Sequence, residues 1–472
     1  MEKFIKKGEA KVRKLIVSLL VGILVMCLPA MATEFKIGGV YTAWAQSQQA
    51  FTLKEDAYDH NYVVQMLRFN VQGIANDNLK FVTRFDMAQG WWGVDNALKS
   101  KIRTGTDGGS ALFDFKDTNF LLHVDQAYVD MTLPNTPVNL KIGRQWYGLG
   151  NKLMVDNNYE GVQLGYKGLS LGWAKVSEGG DGTTDNVVYD AVVTDSVIAD
   201  NRDADLFMAN YKGKAGKLSY DAFGFYYQDK SIEDGDAYIL DHLQFFRNKD
   251  AATVTQLMAA GVAANYKAGK ISVKGEFDFL TGKDEINDLD LSGYNVYANL
   301  NYTQNDKLSL GAVLGMGSGD DANEAGFTNV NKLRTSGFFY ITEIWEDSIM
   351  PDEEGITPQG LGAPNVKAYR ELENTTIAQV NATYKLMKGT SLFLSGSYIM
   401  ASNDIMANDG TLASDLGTEI DFRIKHNVYD NAFFMLRGGY FMPGDAAGYL
   451  INGHNVDMVP AYELKGMVVY KF

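Results

Sequence analysis

The sequence predicts an all-β fold, a transmembrane antiparallel barrel of about eighteen strands with short turns at one end and long loops at the other. Three observations carry this expectation. The first is the stretch 460–472, PAYELKGMVVYKF, where Tyr462, Leu464, Val468, Tyr470 and Phe472 share one parity and Glu463, Lys465 and Lys471 the other. A period of two is a strand with one apolar and one polar face. The second is that this pattern recurs along the chain. The third is the absence of any apolar run long enough for a membrane helix after the first 32 residues, combined with 12% aromatics and a mean hydropathy of −0.18. Apolar residues diluted one in two suit a barrel wall.

Residues 1–32 read as a cleaved signal peptide. Lys3, Lys6, Lys7, Lys11, Arg13 and Lys14 form a positive start, 15–28 an apolar stretch, and Ala30-Met31-Ala32 a cleavage site. Cys27 is the only cysteine, so cleavage leaves a chain without disulfides, thiolate metal ligands or a cysteine nucleophile. Formal charge falls from −15 to about −19 when the segment's six basic and two acidic residues are removed, which speaks against nucleic acid as a partner.

The expected strands are 34–47, 61–75, 78–89, 120–133, 137–147, 158–166, 168–177, 204–212, 217–229, 254–268, 270–281, 290–304, 307–317, 373–387, 390–402, 415–428, 431–442 and 460–472. Short connections such as Lys167-Gly168, Ala268-Gly269, Gln304-Asn305-Asp306 and Lys388-Gly389 carry turn-forming residues. They alternate with long ones at 48–60, 90–119, 148–157, 178–203, 230–253, 282–289, 318–372, 403–414 and 443–459. That asymmetry fits short periplasmic turns and long outer loops.

Parity separates lipid-facing from lumen-facing side chains. Phe277 and Phe279 oppose Lys274, Glu276 and Asp278; Ile420, Phe422 and Ile424 oppose Glu419, Asp421, Arg423 and Lys425. The expected pore-lining set is Arg68, Lys80, Arg84, Asp86, Asp130, Lys141, Lys274, Glu276, Asp278, Glu419, Asp421, Arg423, Lys425, Arg437, Glu463 and Lys465. Charge on the lipid face costs about 2–4 kcal/mol at mid-bilayer, so these belong in a wet lumen. Their near balance of sign suggests ion pairs across a narrow part of the pore. Arg144 breaks the pattern by sharing the parity of Leu140 and Ile142, and parity also slips around His123 and Asp125. Either a bulge turns Arg144 inward, or it lies above the hydrocarbon. Tyr41, Trp44, Trp91, Trp92, Tyr166 and Trp173 are expected in interfacial girdles.

No nucleotide-binding or hydrolase motif is present, and the five histidines lack metal spacing. No enzyme, metal or cofactor is expected. Acidic runs such as Asp352-Glu353-Glu354 read as solvated loop charge, with a loop-held Ca²⁺ as the alternative. The connections 90–119 and 318–372 are candidate constrictions. The second carries Phe338, Phe339, Tyr340, Ile341, Ile344 and Trp345, which need burial, and is expected to fold into or over the lumen as a plug or lid. Its acidic stretch 343–354 would bias the mouth toward cations.

The final aromatic pair, Tyr470 and Phe472, resembles the C-terminal signature that barrel-assembly machinery reads in bacterial outer-membrane proteins. Gln126-Ala127-Tyr128-Val129-Asp130, followed by Val138-Asn139-Leu140-Lys141-Ile142-Gly143-Arg144-Gln145, resembles a hairpin of the porin families. Strand number and loop length look most like the alginate-export type of eighteen-stranded barrel. The resemblance implies a cell outer-membrane protein embedded among lipid and lipopolysaccharide, passing ions and small hydrophilic solutes by diffusion. The alternatives are a specific channel for a saccharide or anionic polymer, with Phe223, Phe225 and Tyr227 as a stacking track, or a sheath around a partner protein. Whether copies associate as a homo-oligomer is not fixed by the sequence.

Overall fold

The computed structural model describes residues 34–55, 60–92, 122–177, 204–230, 239–240, 252–253, 255–285, 287–323, 328–333, 340–346, 372–454 and 458–472. The leader, the connection 93–121 and residues 352–354 lie outside them, as do Phe338 and Phe339 and the side chain of Trp91.

The strands are β1 (Glu34–Gln49), β2 (His60–Asn76), β3 (Leu79–Trp91), β4 (Leu122–Thr132), β5 (Asn139–Gly148), β6 (Asp156–Tyr166), β7 (Leu169–Ser177), β8 (Ala204–Ala215) and β9 (Leu218–Asp229). They continue as β10 (Gln256–Ala268), β11 (Ile271–Asp284), β12 (Leu289–Thr303), β13 (Leu308–Gly317), β14 (Thr375–Met387), β15 (Thr390–Met406), β16 (Leu412–Tyr429), β17 (Ala432–Pro443) and β18 (Ala461–Lys471). Each pairs antiparallel with the next, and β18 pairs back onto β1 from Val40↔Lys471 to Gln49↔Tyr462. The sheet is therefore a closed barrel of 18 strands. Closure leaves no unpaired edge, which is the condition for strands to stand in hydrocarbon.

All the expected strands are present. The largest shifts are at the loop end, where β15 runs to Met406 and β16 starts at Leu412. A helix, α1 (Asp445–Asn452), sits where a plain loop was expected, and ends on Gly453 at φ 76°, whose N–H donates to the Tyr449 carbonyl at 2.9 Å. At the turn end, Lys167 and Gly168 have φ of 46° and 88°. Positive φ at both central residues is the hairpin turn that matches strand twist.

Parity sorts side chains as the sequence pattern requires. Phe277 and Phe279 are each 49% exposed, while Glu276 and Asp278 between them are at 4% and 0%. On β18 the outward aromatics Tyr462 and Tyr470 are eight residues apart. That is about 27 Å along a strand, or about 21 Å along the axis at a ~40° tilt, most of the ~25 Å apolar band. Tyr166, Trp92 and Trp173 are outward and exposed, and Tyr41 shares the outward parity of β1. Trp44 corrects the girdle expectation. It is 4% exposed and lies in register with Met467, on the inward parity of Thr42 and Gln46. Small outward residues, Ala43 and Ala45, flank it on β1. Its nearness to the strand end says nothing about which face it takes.

The β1–β18 seam is closed by two hydrogen bonds, Gly39 N–H to the Phe472 carbonyl (2.9 Å) and Phe472 N–H to the Gly39 carbonyl (3.1 Å). The Phe472 ring lies edge-on to Phe69 at 5.4 Å, over the space a side chain at Gly39 would fill.

Two apolar clusters fill the inside of the barrel toward the loop end. In one, Phe51, Leu53, Ile344, Trp345 and helix α1 pack on Ile377, Ile399, Leu416 and Phe441. In the other, Leu149, Met154, Val155 and Leu333 pack on Leu206, Phe223, Phe225, Tyr227 and Leu257. The upper lumen is thus occupied by folded-in connections, not by water alone. Phe223, Phe225 and Tyr227 do point inward, but at 7%, 6% and 0% exposure they are covered and offer no open stacking track.

Candidate functional site

The inner wall is built by register. All sixteen expected residues lie on the parity opposite the exposed apolar side chains. They gather into two groups, with a third set standing apart.

The first group spans β2 to β6. Arg68 makes a two-pronged contact with Asp86, 2.6 Å from each nitrogen. Lys80 Nζ is 3.3 Å from Asp130, which also accepts from Asn139 at 2.7 Å. Lys141 lies over the Tyr128 ring at 5.7 Å. Arg84 pairs with Asp125, a residue outside the expected set. Register shifts between Arg84 and Phe85, so that Gln126 and Val124 oppose consecutive residues of β3 and Asp125 is left over. This is a β-bulge, and it turns Asp125 inward. Asp125 accepts from Asn158 at 2.7 Å and lies 3.6 Å from Arg68. The parity slip in the sequence was its signal.

The second group spans β14 to β18 and holds the inserted segment 340–346. Glu343 lies 2.5 Å from Arg423 and 3.1 Å from Arg437. Arg437 also donates to the Tyr340 hydroxyl. Glu419 accepts the backbone N–H of Ile344 (2.6 Å) and of Trp345 (2.9 Å). Within the segment, Glu346 accepts the Ile341 N–H at 2.6 Å, and Gln379 donates to the Ile341 carbonyl at 2.8 Å. Asp421 accepts from Ser395 at 3.1 Å, and Lys425 sits 4.1 Å over the Phe433 ring. Nearby, Glu463 accepts from Gln46 (2.6 Å) and Gln48 (2.7 Å) and pairs with Lys465 at 2.7 Å. Glu343 is thus held by two guanidiniums, so this residue supplies no free negative charge to the mouth.

The set standing apart is Lys274, Glu276 and Asp278 on β11. Lys274 is exposed. Glu276 accepts the Asn151 N–H from the inserted segment 149–155, and Asp278 receives the Asn295 amide at 3.5 Å. The sequence did not single out 149–155 as an inserted segment. Its signal was Leu149, Leu153, Met154 and Val155, four apolar residues in seven, all at 2% exposure or less.

The expectation of ion pairs across the pore is corrected. The pairs run along the wall between neighbouring strands, because register sets Arg68 opposite Asp86 and Lys80 opposite Asp130. Directly opposed residues are only ~5 Å apart, far closer than the opposite wall. Arg144 stays outward and pairs with its register partner Glu160 at 2.9 Å. No bulge turns it in.

No family model and no curated protein sequence matches the chain. Among solved structures it is similar to OccK8 (OprE) of Pseudomonas aeruginosa, with a TM-score of 0.52 at 10% identity over 93% of this chain and 98% of that one. It is similar to the outer membrane protein opdK of Pseudomonas aeruginosa, at 0.50, 11%, 93% and 98%. It is also similar to OccAB2 of Acinetobacter baumannii, at 0.50, 12%, 93% and 98%. Identity at this level speaks for the fold alone: the chain shares the eighteen-stranded barrel architecture of these proteins.

Proposed function

We propose that this chain is an outer-membrane channel that lets ions and small hydrophilic solutes diffuse through its lumen, narrowed at the loop end by inserted segments. The observation that carries the reading is the sorting of charge. Inward positions hold ionisable side chains from β2 round to β18, while outward positions are mostly apolar, and of the outward charges Arg144 pairs with Glu160 and Lys175 with Asp205. A barrel that only filled its wall with side chains would have no use for so many buried ions, since desolvating each costs several kcal/mol. Water in the turn-end half relieves that cost.

Segment 340–346 acts in this reading as the constriction expected of the long connection 318–372. Residues 1–32 act as the cleaved leader, Tyr470 and Phe472 as the assembly signal, and lipid and lipopolysaccharide as the surroundings. The alginate-export reading rests on strand number and one hairpin motif. A polyanion favours a basic wall, and the mixed charge here argues for less charged solutes.

Conductance of the purified full chain in planar bilayers tests the proposal. Steps of ohmic current in KCl support it. A chain that inserts, migrates as a folded barrel and carries no current overturns it in favour of a sheath or closed barrel.

A further inference from the structure

A recess of about 540 Å³ lies against the inner wall between β4 and β8, closed on the loop side by Gly148 and Leu149. Small-molecule sites occupy roughly 300–1,000 Å³, so it has room for one or two sugar rings. Five amide side chains line it, and each spends its nitrogen on the wall. Gln126 donates to Asn158 (2.8 Å), Asn139 to Asp130 (2.7 Å), Gln145 to the Gly161 carbonyl (3.2 Å), Gln163 to the Trp146 carbonyl (2.7 Å) and Asn210 to Asp221 (3.1 Å). None of the five amide oxygens receives a donor from the described residues. The Gln145 oxygen is buried and unpartnered on a side chain only 1% exposed.

The wall therefore presents acceptors fixed in place by their own nitrogens. Three lysines line the recess; Lys167 stands at the turn rim over the Tyr166 ring at 5.2 Å, and the other two add donors inside. Lys141 lies over Tyr128 at 5.7 Å and Lys212 sits 3.7 Å from Asp221. Asp130 and Asp221 stand behind the amides, accepting from Asn139 and Asn210, and offset part of the ammonium charge. An anion would meet amide oxygens, and a cation would meet the lysines. An uncharged polyol suits both, because each hydroxyl donates to an oxygen and accepts from an ammonium. The Tyr128 ring adds an apolar surface of the kind that sugar C–H faces pack on.

We propose that this recess is a binding site for uncharged mono- or disaccharides. The proposal deepens the channel reading by naming the solute class, and it rests on that reading only for transport.

The test is calorimetry on the detergent-solubilised full chain with glucose and maltose, then with glucuronate and glucosamine, which carry a negative or a positive group on the same ring. The expected result is saturable millimolar binding of the two neutral sugars, with both charged analogues weaker by about tenfold. Gln163→Met with Asn210→Leu removes two acceptors and keeps bulk, and should weaken maltose by about tenfold while heat-modifiable migration stays that of a folded barrel. Absence of saturable binding by either neutral sugar overturns the site, as does preference for glucuronate or unchanged affinity in the variant. Should that variant fail to fold, the ranking of the four sugars on the unaltered chain decides alone. Calorimetry needs no open pore. Binding without conductance overturns the channel and keeps the recess; conductance without binding does the reverse.

Discussion

Segments 149–155 and 340–346 both leave the strand ends, enter the barrel and place backbone N–H groups on the glutamate of an inward Glu-x-Asp pair, Glu276/Asp278 and Glu419/Asp421. They are held in different ways. Segment 340–346 brings its own carboxylate, Glu343, onto Arg423 and Arg437. Both bury apolar side chains, Ile344 and Trp345 in 340–346 and Leu149, Met154 and Val155 against β8 to β10 in 149–155, but segment 149–155 shows no such pair with β11. An apolar contact has no required geometry and resists salt. A buried ion pair has one good arrangement, and its loss leaves a charge stranded. One barrel thus holds a greasy stopper on one wall and, on the other, an apolar insert that is also latched by charge.

The largest effect should come from the apolar side. Leu149→Ala with Met154→Ala removes two buried side chains, and such truncations cost about 2–5 kcal/mol each. Segment 149–155 should then become cleavable by protease in detergent, and single-channel current should become noisier. Persistent protection would mean that the Glu276 contact alone holds it. Next in size is Arg423→Ala with Arg437→Ala. Glu343, at 3% side-chain exposure, would lose both cations, an uncompensated buried charge worth roughly 3–5 kcal/mol. Conductance should rise through release of 340–346, and an unaltered step size would show that this segment does not narrow the path.

A smaller effect separates the two glutamates. Glu419 accepts two inserted N–H groups and Glu276 one. Removing an acceptor leaves each buried N–H unpaired at a cost of about 1–3 kcal/mol. Glu419→Leu should therefore lower the unfolding midpoint by about twice as much as Glu276→Leu. Equal shifts would mean that the hydrogen bonds do not carry the difference. Smallest is a change in selectivity. Arg84→Glu with Arg423→Glu, five strands apart on the lumen wall, should raise cation over anion permeability about two- to threefold. An unmoved reversal potential in a KCl gradient would place both side chains away from the ion path.

The strands were legible because lipid enforces parity: one charge on the wrong face would cost more than a strand gains from any local preference. Phe277, Glu276 and Asp278 announce their faces by alternation alone. Asp125 did not, because a bulge adds one residue without changing composition. Trp44 misled, since an aromatic near a strand end serves as well inside as at the interface. Helix α1 was hidden for another reason. Its Ala446, Ala447, Tyr449 and Leu450 are all buried, so no polar stripe marks a helical period. Inserted segments are set by contacts with distant strands, and apolar composition in 149–155 signalled the need for cover without naming what would supply it.

The backbone N–H of Leu333 donates to the Met154 carbonyl at 3.0 Å, the Val330 N–H donates to the carbonyl of Ser292 on β12 at 3.2 Å, and the Ser292 N–H donates to the Thr328 carbonyl at 2.8 Å. Together with Asn151 on Glu276, these contacts tie the β5–β6 end to β11 and β12, a third of the way round the circumference. Such ties work as braces on a hoop. A ring of strands joined only to its neighbours can flatten into an ellipse under lateral bilayer pressure; a braced one keeps its cross-section. The rim facing the outside should therefore be the stiff end of this cylinder, and the end with short turns the one that breathes.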